Sequence, residues 1–241
     1  MARARQVKRE RRSAGVIAAT GRWIRRWVLR VALFAIVLAV LGIVLFSVVN
    51  PPTTLYMAAE KARQGGIRQE WADFDEIAPV MARSVVAAED ANFCNHWGFD
   101  MEAIRQVIAA GERRGASTIS QQVVKNVYLW PERSWVRKAL EALMTPAVEL
   151  VWSKQRILEV YLNVAEFDTA VFGVEAAAQH HFGVPASALT AQQAAYLAAV
   201  LPDPKGRSAT QPTPYLDRRA ASIRDGAETI RRDGRAACFE G

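Results

Sequence analysis

The sequence predicts a mainly α protein, with one apolar helix near the N-terminus and a helical domain behind it. Three observations carry this. Residues 31–49, "VALFAIVLAVLGIVLFSVV", run for 19 residues without a charge, which at about 1.5 Å per residue comes close to the roughly 30 Å hydrocarbon thickness of a bilayer. From residue 75 the apolar positions recur at helical spacing almost throughout. No segment alternates with period 2 for long enough to make a convincing strand.

The elements follow in order. Residues 1–30 hold ten basic side chains against Glu10 alone, a net +9. The whole chain is only +7, so residues 31–241 carry −2. The high charge therefore belongs to the tail. A basic arm beside an apolar helix is an orientation signal that keeps the arm cytoplasmic, and nucleic-acid binding is the weaker reading. A cleaved signal peptide would need an apolar region of about 7–15 residues ending in a small-x-small site, and "LFSVVNPP" offers none. The segment 31–49 is thus expected to remain as a single-pass anchor, placing residues 50–241 outside the inner face, which in a bacterium is the periplasm. Residues 50–74 are polar with a "QGG" break and read as a linker. Residues 75–241 read as the outer domain, large enough for one core.

Within that domain Ile77, Met81 and Val85 recur at i+4, and Glu89 continues their stripe. Further helices are predicted over 101–110, 117–129, 133–152, 154–166, 173–182 and 190–201. Thr190 and Gln193 have the form of a capping box, and Pro146 is expected to kink its helix. Cys94 and Cys238 fall where disulfides are chemically permitted. Nothing in the sequence places them together, so their pairing stays open; closed, the loop would be worth roughly 5 kcal/mol in a chain-entropy account. No zinc-ligand spacing is present, and His180 and His181, adjacent on a predicted helix, are not expected to share a face.

Three stretches could carry chemistry. In "AAEDANFCNHWGFD" (87–100) the pair Glu89–Asp90 sits at a helix C-terminus, where the dipole disfavours carboxylates, with aromatics crowding behind. A capped surface end is the plain alternative to a reaction centre. In "RRGASTISQQVVKN" (113–126) Gly115 can turn the backbone and Ser117 can cap, while Thr118, Ser120, Gln121 and Gln122 set polar groups on several faces, as a helix lining a polar groove would. Lys125, Arg133 and Arg137 follow as cations, each of which alone could be a solvated surface charge. In "RKALEA" (137–142) the Arg137–Glu141 spacing is by itself an ordinary intrahelical pair.

Taken together, "EDANFCNHWG" (89–98), "GASTISQQVVKN" (115–126), "RKALEA" (137–142), "KQRILEVYLN" (154–163) and "FGVEAAAQHHF" (172–182) resemble the successive motifs of the family-51 glycosyltransferases, the peptidoglycan polymerases, most closely the monofunctional biosynthetic transglycosylases. The resemblance covers roughly residues 70–205. It implies a lysozyme-like, mostly α fold, and a reaction in which the sugar 4-hydroxyl of lipid II attacks the anomeric carbon of the growing glycan chain, expelling undecaprenyl pyrophosphate. It implies Glu89 as general base and Glu141 as a second functional carboxylate. Lys125, Arg133 and Arg137 would bind the pyrophosphate, and Ser117, Thr118, Gln121, Gln122 and Asn126 would line the site.

With it come a divalent cation, Mg²⁺ or Mn²⁺, as an allowed cofactor and no organic one. The implied partners are lipid II, the glycan chain, membrane lipids and division or wall-synthesis proteins. The stretch up to residue 241 leaves no room for the transpeptidase domain of bifunctional relatives, and neither Ser117 nor Ser153 sits in a Ser-x-x-Lys site. "LNVAEFDTAVFG" departs from the family pattern, with Asp168 and Thr169 where a glycine-containing turn is usual. Phe93, His96 and Gly98 are expected to frame Glu89, and Cys94 has no catalytic role. A lytic enzyme on the same scaffold and a silent membrane-anchored scaffold are the alternatives; the second and third motifs favour synthesis over the first, and the intact Glu89, Lys125 and Glu141 argue against the second.

Overall fold

A computed structural model describes residues 2–111 and 116–240, with side chains from Thr20 onward. The tail cations before Thr20 and the turn expected at Gly115 lie outside those described positions. Helix α1 (Ala2–Phe46) contains the 27-residue stretch Thr20–Phe46, whose most apolar 18-residue window has a mean hydropathy of 2.9, long and apolar enough to cross a membrane. It stops at Phe46 rather than at 49. Pro51 has no N–H to return to the Ser47 carbonyl, and a residue preceding proline avoids the α region.

Residues 46–241 form the second unit. The segment expected to be a linker belongs to it. Helix α2 (Leu55–Gln64) is capped by Thr54, whose hydroxyl accepts from the Met57 amide at 3.1 Å, and ends at Gly65. Strand β1 (Arg68–Gln69) follows, and Ala72 is pinned through both backbone groups to the Asn163 side chain at 2.8–2.9 Å. Met57 and Glu60 are buried. One apolar anchor in a polar helix leaves no periodic signal, which is why composition suggested a linker.

The remaining helices are α3 (Pro79–Glu89), α4 (Met101–Ala110), α5 (Ile119–Tyr128), α6 (Trp135–Val151), α7 (Lys154–Val164), α8 (Val174–Phe182), α9 (Ala191–Val200), α10 (Pro214–Arg232) and the short α11 (Ala237–Glu240). Their starts are chemically marked: Asp100, Thr118, Ser134, Ser153, Thr190 and Thr213 each accept an amide of the first turn. The predicted Thr190–Gln193 box is present. At α5 the cap is Thr118 with Gln121, not Ser117. Helix α6 continues through Pro146 as one element of 17 residues. Helix α10 adds to the helices predicted above, and its buried positions Leu216, Ala220, Ile223, Ala227 and Ile230 recur at spacings of 3 and 4.

Helices α3, α9 and α10 pack on one another, and α5 packs on α6 and α7. Their core includes Met81, Phe93, Ile119, Leu158, Tyr161 and Leu197, all nearly inaccessible; each large apolar side chain so buried contributes about 1.5–3 kcal/mol. Strands β2 (Glu166–Asp168) and β3 (Val171–Phe172) make a hairpin, and β1 joins β3 in parallel, giving the order β1-β3-β2. The hairpin turn that lacks glycine closes with Ala170 in the left-handed region, φ 60°. Cys94 and Cys238 form a disulfide, Cα–Cα 5.7 Å, across 144 positions.

Candidate active site

The stripe Ile77, Met81, Val85 is core, and it delivers Glu89 to the last position of α3. Glu89 is half-buried and lines a cavity of about 630 Å³ with Asn92, Asp100, Ser117, Thr118 and Arg219 among others. Gln122 Nε2 donates to Glu89 Oε2 at 2.8 Å. Burial pushes the Glu89 carboxyl above the usual range, and that outweighs the Gln122 hydrogen bond and the attraction of Arg219 and Lys125.

Asp90, the other half of the acidic pair, is a strut. It is buried and accepts from His96 Nε2 at 2.8 Å and from the Ile119 amide, at the start of α5, at 3.0 Å. Gly98 explains the end of the same motif. Its φ is 83°, a Cβ there would lie 2.5 Å from Thr145 Cγ2, and its carbonyl accepts from Thr118 Oγ1 at 2.6 Å. The framework expected of Phe93, His96 and Gly98 is therefore physical: Phe93 is fully buried, and the other two lock the α3 end to the α5 start.

Helix α5 then places Gln122, Lys125 and Asn126 on one face, as spacings of 3 and 4 require. They line a second cavity of about 320 Å³ with Arg133, Arg137, Tyr161, Tyr56 and Glu166. Burial lowers the Lys125 ammonium, while Glu141 and Glu89 both pull it back up, so Lys125 lies within electrostatic reach of both carboxylates. Arg137 is buried; its Nε donates to the Glu132 carbonyl at 3.0 Å, and its Nη1, 3.6 Å from Glu141 Oε2, makes no hydrogen bond. The two cavities adjoin: Pro202 lines both, and Gln122 reaches from one to Glu89 in the other while its Oε1 accepts from Tyr161 at 3.2 Å.

Glu141 and Gln121 line neither cavity. Glu141 is buried between Arg137 and Lys138, the latter bonded both to it and to Ser117 Oγ, at 3.2 Å in the second case. It holds cations in place rather than facing open space. Gln121 is spent on the α5 capping box. Tyr56, Glu166, Arg207, Tyr215 and Arg219 also line the cavities, beyond the residues the sequence motifs indicate. For the last two the amphipathic period of α10 was the available signal; Tyr56 and Glu166 had none.

One negative expectation fails. His180 and His181 do act on a common group, because Asp168 comes from the neighbouring hairpin: the His180 and His181 Nε2 atoms lie 3.2 and 3.8 Å from Asp168 Oδ2. Among the described residues this is the group of three acidic or histidine donors close enough to hold a metal, and it includes neither Glu89 nor Glu141.

A half-buried acid beside a cation-lined cavity, on a helical scaffold, is an arrangement suited to group transfer. The family model described as Transglycosylase matches residues 57–227, and the chain belongs to that family. It is 60% identical to the biosynthetic peptidoglycan transglycosylase of Jannaschia sp. (strain CCS1) over 237 residues, 98% of each chain. It is 50% identical to the protein of the same name from Pseudomonas fluorescens (strain SBW25), over 81% of this chain and 86% of that one. To the one from Caulobacter vibrioides (strain ATCC 19089 / CIP 103742 / CB 15) it is 43% identical, over 90% of this chain and 99% of that one.

Proposed function

We propose that this peptidoglycan glycosyltransferase polymerises lipid II into glycan strands, releasing undecaprenyl pyrophosphate. The observation that carries the reading is Glu89, oriented by Gln122 at 2.8 Å, beside a cavity that offers Lys125, Arg133 and Arg137. Glu89 takes the proton of the attacking sugar 4-hydroxyl as the new O–C bond forms at the anomeric carbon, and the bond from that carbon to the pyrophosphate oxygen breaks. A hydroxyl is a poor nucleophile until a positioned base removes its proton. The leaving pyrophosphate needs positive charge rather than a strong acid, unlike the alkoxide expelled in glycoside hydrolysis.

A raised carboxyl suits the base, since it brings the proton affinity closer to working pH. The free Nη1 of Arg137 is a fixed donor for an anion. The divalent cation allowed by the resemblance would be held by substrate phosphates with at most a carboxylate or two from the protein; the steps above use the side chains alone.

The apolar N-terminal helix supports the same substrate. The Thr20–Phe46 helix would anchor the chain with its basic tail in the cytoplasm and the domain in the periplasm, so that polyprenyl-linked donor and acceptor share its membrane. On the outer domain Trp97, Ile108, Trp135, Leu143 and Leu150 are exposed, a set of apolar side chains that suits an interface.

The test is polymerisation of labelled lipid II by the full chain in detergent, resolved as strands on a gel. Wild type makes long strands, and Glu89→Gln loses at least about 10²-fold. A variant as active as wild type sinks the role of Glu89. Cleavage of preformed glycan in place of strand growth would favour the lytic reading.

A further inference from the structure

We propose that Asp168, His180 and His181 form a binding site for a zinc-class divalent metal ion, joining the β2–β3 hairpin to the end of α8. The three ligand atoms lie within 4.8 Å of one another. With metal–nitrogen and metal–oxygen bonds of about 2.0–2.2 Å, tetrahedral ligands sit about 3.3 Å apart. The 3.2 and 3.8 Å separations from Asp168 Oδ2 to the two histidines therefore need only small side-chain adjustments.

His181 supplies the independent observation. Its side chain is only 4% exposed, and its Nε2 is buried without a hydrogen-bond partner. That Nε2 lies 3.8 Å from Asp168 Oδ2, too far for a direct hydrogen bond, a separation that one metal ion bound to both atoms at about 2.0–2.2 Å accommodates.

His180 completes the set from the solvent side. Its Nδ1 lies 3.2 Å from Arg68 Nη1, so that without metal the Nε2 proton faces Asp168. On metal binding Nε2 becomes the ligand, the ring proton moves to Nδ1 through solvent, and the exposed Arg68 turns to water. Arg68 and His180 also line an open cavity of about 390 Å³ with Gln69, Glu70 and Gln179, which gives the ion a way in. Two imidazoles and one carboxylate select zinc and its neighbours over magnesium or calcium, which prefer all-oxygen shells. The site is thus chemically separate from any Mg²⁺ or Mn²⁺ carried by phosphates.

The test uses the full chain in detergent, without a histidine tag and stripped by chelator. Zinc is added in equilibrium dialysis, and thermal unfolding is followed in parallel. One equivalent is expected to bind and to raise the unfolding temperature. Asp168→Asn, near-isosteric and partly exposed, and His181→Gln should each lose at least about tenfold in affinity; circular dichroism checks that they fold. Arg68→Ala, which removes the competing cation, should bind more tightly. No binding by wild type, affinity unchanged in both ligand variants, or weaker binding by Arg68→Ala would overturn the site. None of these readouts depends on polymerisation.

Discussion

Glu89 keeps a hydrogen bond from Gln122 and an open cavity before it, whereas Asp90, one position on, is closed in by His96 and the α5 amide. The difference sets a pH expectation. A general base works only when ionised, and the Glu89 carboxyl is held above the usual range by burial, so activity should fall on acidification at a pH above the ordinary glutamate value of about 4.3. Arg219 opposes that rise and is fixed by its bond to the Ala88 carbonyl at 2.8 Å. Arg219→Ala should therefore move the acidic limb of the rate profile to still higher pH, while Arg219→Lys largely restores it. A limb that does not move in the alanine variant removes Arg219 from the base's environment.

At the scale of elements, caps and turns decide where side chains land. The Thr118–Gln121 box, tied through Thr118 to Gly98, fixes the start of α5, and so the face that presents Gln122, Lys125 and Asn126. These polar residues looked like groove lining in the sequence, yet Thr118 and Gln121 are mostly structural, because one helical turn must satisfy its own orphan amides first. The hairpin gives a test of strain. Ala170 adopts φ 60°, a conformation costing an alanine about 1–2 kcal/mol; glycine recovers that less its own entropy loss of roughly 0.5–1 kcal/mol. Ala170→Gly should thus stabilise the domain by about 0.5–1 kcal/mol in denaturant unfolding, and a loss of stability would show that the turn is not strained.

Over the whole molecule, the disulfide ties the loop after α3 to the C-terminal α11. Closing so long a loop restricts the unfolded chain, so reduction or Cys238→Ser should lower stability by up to about 5 kcal/mol, read as a drop in unfolding temperature; an unchanged temperature would refute it. The apolar N-terminal helix, the helical class and most helix starts were legible in the sequence because hydrophobic periodicity and capping chemistry act over a few neighbouring residues. The motif residues were legible too, as types in order. What only the tertiary structure decided is what those residues face: that Glu141 backs the cations instead of lining a cavity, that α2 and α10 complete the walls with Tyr56 and Arg219, that Cys94 meets Cys238, and that Asp168 meets two adjacent histidines. The histidine group and the cysteine pair span 12 and 144 positions, and no local spacing encodes them; they arise where helices and hairpin are packed by burial of their apolar faces.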